Sequence, residues 1–237
     1  NSEEMKEMPF PDDLDDTFCA LSALYRYDPR LIAGAVMAKA VEILTMLEEK
    51  EGGPYRTWLV PESADKKWKD IDLAVNSNIA YFLSLQEVDL PSLILLIETR
   101  INQGNLDSLY YPTIYPVIYF ISRWYKGKRI KKIERILLSM QNKDGYWENP
   151  LNTALAVSSL LNLGISPIEL RKGIAYLLSC QEDGSWKSHG FCLDPARDGK
   201  SYYSGSSVLT TAFCLEALGK YLKIFKMESI NTEREDL

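Results

Sequence analysis

The sequence predicts an all-helical protein built from antiparallel helix pairs, on three observations. Apolar residues recur with a helical period along most of the chain, as at Phe18, Leu21 and Leu24. No run rich in Val, Ile and Thr alternates in the way that a half-buried strand does. A motif ending in Gln and Trp occurs twice, about 40 residues apart, and a repeat of that length holds two helices. The sequence therefore predicts a helix-pair array, either open or closed into a ring.

The individual elements follow from this periodicity and from Gly, Pro and Asn/Asp turn signals. The first three helices cover the apolar positions within 18–25, 31–47 and 74–83. Further helices are predicted at 91–102, 113–125, 129–141, 151–163, 167–180 and 206–222. The irregular stretches 50–70 and 182–205 are long for a compact domain, and such loops often carry function. We expect one helical domain over 1–225 and a polar, fraying tail over 226–237.

Composition limits the classes of function. A net charge of −6 argues against a nucleic-acid partner, because phosphate binding requires a clustered basic surplus. Four cysteines without a C-x-x-C spacing favour reduced thiols and a cytoplasmic protein. Neither a membrane-spanning stretch nor a secretory signal is visible. The sequence begins with Asn1 rather than Met, and we expect upstream residues to be missing.

The stretch PDDLDDT near the N-terminus contains two overlapping acidic motifs. Asp12, Asp13 and Asp16 form D-D-x-x-D, which on a helix can gather carboxylates around magnesium and a diphosphate. Asp13, Asp15 and Asp16 form D-x-D-D, in which repulsion between neighbouring carboxylates keeps one of them protonated. An acidic run after a proline is also what capping and the helix dipole favour at a helix N-terminus. The motif alone leaves all three interpretations open.

The repeated motif is the second informative feature. RILLSMQNKDGYW (135–147) and AYLLSCQEDGSW (175–186) each join an apolar helix to Leu-Ser, Gln, Asp-Gly and Trp. The glycine supplies the positive φ that ends a helix, and the tryptophan folds back over the corner with its indole N–H near a carbonyl. By itself, this pattern indicates architecture rather than chemistry.

The second copy, from Lys172 to Trp186, resembles the QW repeat of squalene–hopene cyclases, oxidosqualene cyclases and class II diterpene cyclases. The first copy, with Gln141, Gly145 and Trp147, is a looser match. The resemblance covers 129–219 well and the preceding hundred residues weakly, and it assigns no role to GGPYRTW or AVNSNIAYF. It implies a single α/α barrel, or toroid, of antiparallel helix pairs.

Class II cyclases of this group carry D-x-D-D-T at the start of a helix, and this chain has the same five residues from Asp13 to Thr17. The resemblance therefore favours the D-x-D-D interpretation. It implies that Asp15 is the proton donor and that Asp13 and Asp16 tune and orient it. The implied activity is that of a protonation-initiated terpene cyclase, an isomerase or lyase that acts on an isoprenoid. D-D-x-x-D belongs to ionisation-type prenyl synthases, whose second metal motif is not found here.

Carbocation chemistry implies aromatic faces around the substrate, because they stabilise a cation without acting as bases. Candidate substrate-binding residues are Tyr111, Tyr115, Tyr119 and Trp124. A single barrel suits a C15 to C20 prenyl chain, and Arg56 and Lys200 are candidate contacts for the anionic end of a diphosphate. Protonation requires no cofactor, and magnesium enters only with a diphosphate substrate.

Other classes of protein remain as alternatives. A degenerate barrel would bind a lipid or protein partner without catalysis. Protein prenyltransferase β subunits share the barrel and hold zinc through Asp, Cys and His, but His189, Cys192 and Asp194 do not follow that order, so no metal site is expected. An additional barrel domain or subunit, the oligomeric state and peripheral attachment to a membrane also stay open.

Overall fold

The computed structural model describes residues 11–166, 170–193 and 203–235. In these ranges the chain is helical apart from loops and one antiparallel pairing of two-residue strands, β1 (Cys192–Leu193) and β2 (Tyr203–Ser204). The helices are α1 (Leu14–Tyr27), α2 (Ala35–Leu47), α3 (Leu73–Ser84), α4 (Pro91–Gln103), α5 (Ile114–Ser122), α6 (Ile130–Met140), α7 (Pro150–Asn162), α8 (Arg171–Ser179) and α9 (Ser207–Glu235). Short 3-10 turns lie at Pro29–Ile32 and Lys66–Trp68. The prediction of an all-α protein is confirmed.

Most helix bounds agree with the sequence pattern, but the last helix differs. We predicted its end at residue 222, whereas α9 continues to Glu235. The predicted end was wrong because it relied on the loss of apolar periodicity, while the fraying of the tail from 226 stays a prediction. Residues 223–235 contain no Gly or Pro to stop the helix, and Lys, Glu and Arg are good helix formers. The β1–β2 pairing was also not predicted.

The chain divides into two compact units. The first contains α1 to α4, and its centre is α3, which packs against α1 and α4. Ten of the twelve residues of α3 are buried, including three polar ones. Phe18 of α1 meets Phe82 of α3 edge to face, with ring centroids 5.3 Å apart. The first unit therefore forms its core around α3, and α1 carries the acidic motif at its N-terminus.

The second unit contains α5 to α9, and α7 is its central helix, in contact with α5, α6, α8 and α9. The two repeated motifs form the corners that were predicted. Trp147 donates its indole N–H to the carbonyl of Leu137, and Trp186 donates to that of Leu177, each at 2.7 Å. Both indoles are buried, so each tryptophan fixes the turn that follows a helix to the last turns of that helix.

None of the helices in the described part of the chain is both long enough and apolar enough to span a membrane.

Candidate acidic site at the first helix

The acidic motif forms the N-terminus of α1. Asp13 is the N-cap in an extended conformation, and its Oδ1 accepts the backbone N–H of Asp16 at 2.7 Å. The hydroxyl of Thr17 donates back to the carbonyl of Asp13 at 2.6 Å. These contacts satisfy groups that a helix end leaves without intrahelical partners. Capping therefore does occur at this helix start, but the sequence pattern favoured Asp15 or Asp16 as the cap, and the structure places Asp13 there instead. Capping does not account for Asp15, which lies inside the first turn.

Asp15 lies in the first turn of α1 and faces α3. The side-chain amide of Asn78 on α3 donates to Oδ1 of Asp15 at 2.5 Å. Asn78 is only 1% exposed and Asp15 is half-buried, so this contact is shielded from solvent. Hydrogen bonds to a carboxylate are short and strong, and this one fixes the orientation of Asp15.

The surroundings of Asp13 raise the pKa of its carboxyl. Burial is the largest cause, and the neighbouring carboxylates of Asp16 and Asp12 raise the pKa further. The backbone N–H groups of Asp16 and Asp15 oppose this effect, and burial dominates. Asp12 and Asp16 are exposed, whereas Asp13 and Asp15 are half-buried. The motif therefore has an inner pair of carboxyls and an outer pair.

The GGPYRTW segment, which the sequence resemblance left unassigned, pairs with the acidic motif. The backbone N–H of Leu14 donates to the carbonyl of Thr57, and that of Leu59 donates to the carbonyl of Asp12, each at 2.8 Å. These bonds form a short antiparallel bridge between Asp13 and Trp58. The long loop between α2 and α3 therefore holds the chain at the point where α1 begins.

The second unassigned segment, AVNSNIAYF, forms most of α3 and supports the same loop. Asn76 is fully buried and binds the backbone of Tyr55 in both directions. Its Oδ1 accepts the N–H of Tyr55 at 2.8 Å, and its Nδ2 donates to the carbonyl of Tyr55 at 2.9 Å. Asn76 and Asn78 thus connect α3 to the loop and to Asp15, respectively.

Two further carboxylates, which the sequence analysis did not identify, lie just before α3. Asp70 accepts hydrogen bonds from the hydroxyl of Thr57, the indole of Trp58 and the phenol of Tyr110. Asp72 is the N-cap of α3 and is 2% exposed. Burial raises the pKa of Asp72, in spite of several hydrogen bonds that lower it. The signal in the sequence was an Asp-x-Asp directly before an apolar helix interrupted by Asn-Ser-Asn.

The predicted aromatic residues Tyr111, Tyr115, Tyr119 and Trp124 are all buried in the second unit. Tyr119 donates its phenol to the carboxylate of Glu216 at 2.8 Å, and Tyr115 donates to Glu148 at 3.3 Å. The guanidinium of Arg123 lies 5.3 Å from the ring centre of Tyr119. A protein cation therefore already occupies one face of Tyr119.

The predicted anion contacts have mixed outcomes. Arg56 forms ion pairs with Glu49 and Glu62, so an anionic substrate would compete with two carboxylates for its guanidinium. Lys200 and Asp194 lie outside the described residues. Within those residues, no three side chains of His, Cys, Asp and Glu are grouped to hold a metal ion. This includes the carboxylates of the D-D-x-x-D pattern.

Solved structures of terpene cyclases are similar to this chain. Type II terpene cyclase MstE from Scytonema superposes with a TM-score of 0.72 and 16% identity, over 91% of this chain and 76% of that chain. An MstE variant in complex with its substrate, geranylgeranyl dihydroxybenzoate, has a TM-score of 0.71 and 16% identity, over 90% of this chain and 74% of that chain. The ent-copalyl diphosphate synthase from Streptomyces platensis has a TM-score of 0.64 and 16% identity, over 89% of this chain and 42% of that chain.

These likenesses show that the chain has the α/α-barrel fold of the terpene cyclases, as its sequence predicted. At this level of identity they show the fold and leave the activity to be argued from the residues. No protein-family model matches the sequence, and no curated protein matches it significantly.

Proposed function

We propose that the protein is a class II terpene cyclase, which protonates a C15 to C20 prenyl chain and closes it into rings. Asp15 is the proton donor, and Asp13 and Asp16 tune and orient it. The observation that carries the proposal is the hydrogen bond from Asn78 to Asp15, within an acidic motif on a terpene cyclase fold. Capping alone requires no such partner for Asp15.

An isolated alkene is a very weak base, so its protonation requires a carboxylic acid that stays protonated and is still strongly acidic when it reacts. The motif supports the first requirement through its crowding: burial and the neighbouring carboxylates raise the pKa of Asp13, so the carboxyls around Asp15 resist joint ionisation. The dipole of α1 opposes this effect by stabilising negative charge at its N-terminus, typically by about 0.3–1 kcal/mol. When carboxyls lie close together, repulsion between their negative charges keeps one of them protonated, and this repulsion can outweigh the effect of the dipole.

Asn78 supports the second requirement. Its amide donates to Oδ1 of Asp15, which favours placing the acidic proton on the other carboxyl oxygen. When that proton leaves, the same hydrogen bond stabilises the new carboxylate. A neutral amide, unlike Lys or Arg, does this without a full positive charge that would ionise the acid beforehand. Asn78 is therefore the donor expected beside a reusable proton source.

The aromatic residues Tyr111, Tyr115, Tyr119 and Trp124 are proposed substrate contacts, because their ring faces can stabilise a carbocation by about 0.5–2 kcal/mol each. Arg56 and Lys200 are proposed contacts for an anionic group. Protonation requires no cofactor, and magnesium would enter only with a diphosphate. The substrate of MstE, geranylgeranyl dihydroxybenzoate, makes a prenylated aromatic acid a second substrate to test.

The test is incubation of the protein in deuterium oxide with farnesyl diphosphate, geranylgeranyl diphosphate or geranylgeranyl dihydroxybenzoate. We expect a cyclised product that retains its polar group and carries one solvent deuteron on its carbon skeleton. Asp15→Asn should abolish turnover, because an amide cannot donate the proton. Asp12→Asn, at an exposed position, should not.

Each other outcome supports a different alternative. Release of diphosphate, inhibition by a chelator and equal damage by both substitutions would support ionisation chemistry at D-D-x-x-D. The absence of turnover with any C10 to C30 prenyl substrate would support the non-catalytic barrel. That alternative remains because Asp13 already has a structural role as the cap of α1.

A further inference from the structure

Asp70 joins two distant segments of the first unit. Its Oδ2 accepts the hydroxyl of Thr57 at 2.6 Å, and its Oδ1 accepts the phenol of Tyr110 at 2.8 Å and the indole of Trp58 at 3.1 Å. The backbone N–H of Thr57 also donates to the carbonyl of Asp70 at 3.0 Å. One half-buried carboxylate therefore holds both side chains of the Thr57–Trp58 pair.

The indole of Trp58 is enclosed as well as hydrogen-bonded. It is 4% exposed, and its ring centre lies 5.0 Å from that of Trp68 and 5.7 Å from that of Tyr110, both edge to face. Its N–H also donates to the phenol oxygen of Tyr110 at 2.7 Å. The aromatic contacts and the carboxylate together leave this ring little freedom to move.

The residues held by Asp70 are those that pair with the acidic motif. The carbonyl of Thr57 accepts the N–H of Leu14, which is the first residue of α1. That N–H has no partner within its own helix, so Thr57 supplies one. The N–H of Leu59 in turn holds the carbonyl of Asp12. The position of the N-terminus of α1 therefore depends on a segment that Asp70 holds.

Two residues further on, Asp72 holds the N-terminus of α3, the helix whose Asn78 donates to Asp15. It caps α3 by accepting the N–H of Ala74 at 2.8 Å, and it also accepts the N–H of Leu109 at 2.8 Å and the hydroxyl of Ser108. Since α3 carries Asn78, the Asp70-Ile71-Asp72 segment fastens both the helix end that carries Asp15 and the helix that carries its amide donor.

We infer that Asp70 is a positioning residue for the acidic motif, acting through Thr57 and Trp58 to hold the start of α1 against Asn78. The inference about turnover rests on the proposed function. The inference about position does not, because it concerns hydrogen bonds that can be measured in the free protein. Asp70 is not expected to touch the substrate or to exchange a proton with it.

The variant that tests this is Asp70→Ala, which removes all three side-chain hydrogen bonds. We expect kcat to fall by about 10- to 100-fold with KM changed by less than about threefold, because small misplacements of a reacting group carry costs of this size. We also expect turnover to fall off at a lower pH than in the parent protein, since a loosened end of α1 is better solvated and its acidic motif loses a proton more easily. If Asp70 had only a structural role, its loss would lower the melting temperature without changing the pH at which turnover falls.

Conservative and control variants separate geometry from charge. Asp70→Asn keeps an oxygen for Tyr110 and Trp58, and its amide can donate to Thr57, so it should restore turnover to within about threefold of the parent. Glu42→Ala removes another carboxylate of the first unit, which pairs with Lys39 on the exposed face of α2 and has no contact with Asp70, Thr57 or Trp58 among its hydrogen bonds. It should leave kcat and the pH profile unchanged. If Asp70→Asn is as damaging as Asp70→Ala, the charge matters and the positioning role is refuted.

Amide hydrogen exchange gives a readout that is independent of turnover. In Asp70→Ala, the N–H groups of Leu14 and Leu59 should exchange at least about tenfold faster, which corresponds to the loss of about 1.4 kcal/mol of local protection. Tyr110→Phe removes one bond to Asp70 and provides a milder version if the alanine variant does not fold. Unchanged exchange at both amides would overturn the inference. Absence of turnover in the parent protein, with the exchange effect present, would overturn only the proposed function.

Discussion

Asn78 and Asp15 are 63 residues apart in the sequence, and their side chains meet in a 2.5 Å hydrogen bond. The bond joins α1 to α3, the central helix of the first unit, and the donor is a neutral amide that is almost fully buried. An ammonium or guanidinium in this place would hold the carboxyl ionised, whereas an amide is compatible with both protonation states. The pair therefore has the chemistry that a renewable acid requires.

We predict that Asn78→Ala lowers kcat by about 10- to 100-fold. The substitution removes the amide donor from Asp15, so the carboxylate that Asp15 becomes after giving up its proton is less stabilised. It also destabilises the fold by about 1–3 kcal/mol, because a half-buried carboxyl loses a hydrogen bond. Steady-state turnover measures the effect on kcat, and urea unfolding measures the effect on stability. Retention of full kcat in a folded variant would contradict the role of Asn78.

The control for this prediction is Gln141→Ala in the second unit. It removes a side-chain amide hydrogen bond at a repeat corner, from Gln141 to the carbonyl of Gly145 at 2.9 Å. We expect a comparable loss of stability and a much smaller loss of kcat. Equal losses of kcat in the two variants would indicate that destabilisation alone explains the result.

The raised pKa of Asp13 predicts how stability changes with pH. Because the folded pKa lies above the unfolded value of 3.8, the native state holds the proton more tightly. This contribution is fully present below pH 3.8 and is lost as pH rises through the folded pKa. Asp13→Asn keeps an N-cap residue but cannot titrate. The free energy of unfolding of the variant, relative to that of the parent, should therefore increase as pH rises.

The matched variant for this experiment is Asp28→Asn. Asp28 also caps a turn, but its hydrogen bonds with Arg30 lower the pKa of its carboxyl. The contribution of Asp28 to stability is present above pH 3.8 and is lost as pH falls. The free energy of unfolding of Asp28→Asn, relative to that of the parent, should therefore increase as pH falls. Urea unfolding between pH 3 and 7 measures both slopes, and slopes of the same sign would contradict the assignment.

The fold was predictable because its signals are local. Helical periodicity, glycine stops and the Gln–Trp corners each lie within about 15 residues of chain, and the corners formed as expected around Trp147 and Trp186. The D-x-D-D-T motif was likewise visible at a helix start. The end of α9 was missed because apolar periodicity stops before the helix does.

The support of the acidic site was not predictable, because its contacts join distant segments. Asn76 reaches Tyr55 across 21 residues, and Asp72 reaches Leu109 across 37. The sequence shows a polar Asn-Ser-Asn run inside an apolar helix, which signals buried hydrogen bonds, but it does not show their partners. Such partners follow from tertiary packing rather than from spacing.

The repeat corners give a prediction about stability alone. Trp147→Phe and Trp186→Phe each keep an aromatic ring but remove the indole N–H that pairs with a carbonyl near a helix end. We expect each to lower the free energy of unfolding by about 1–3 kcal/mol, because a buried carbonyl loses its donor. Thermal and urea unfolding measure the loss, and a loss below about 0.5 kcal/mol in both would show that packing alone holds the corners.

Asn76→Asp tests whether α3 anchors the long loop through hydrogen bonds of fixed direction. Asn76 accepts from the N–H of Tyr55 and donates to the carbonyls of Tyr55 and Asp72, so a carboxylate there would face two carbonyl oxygens. That repulsion and burial should raise the folded pKa of the new carboxyl, so the variant should be more stable at pH 4 than at pH 7, where we expect a loss of at least about 3 kcal/mol. Asn76→Ala, which lacks a titrating group, should lose a similar amount at both pH values. Equal stability of Asn76→Asp at pH 4 and pH 7, relative to Asn76→Ala, would show that the donor side of Asn76 does not hold the loop.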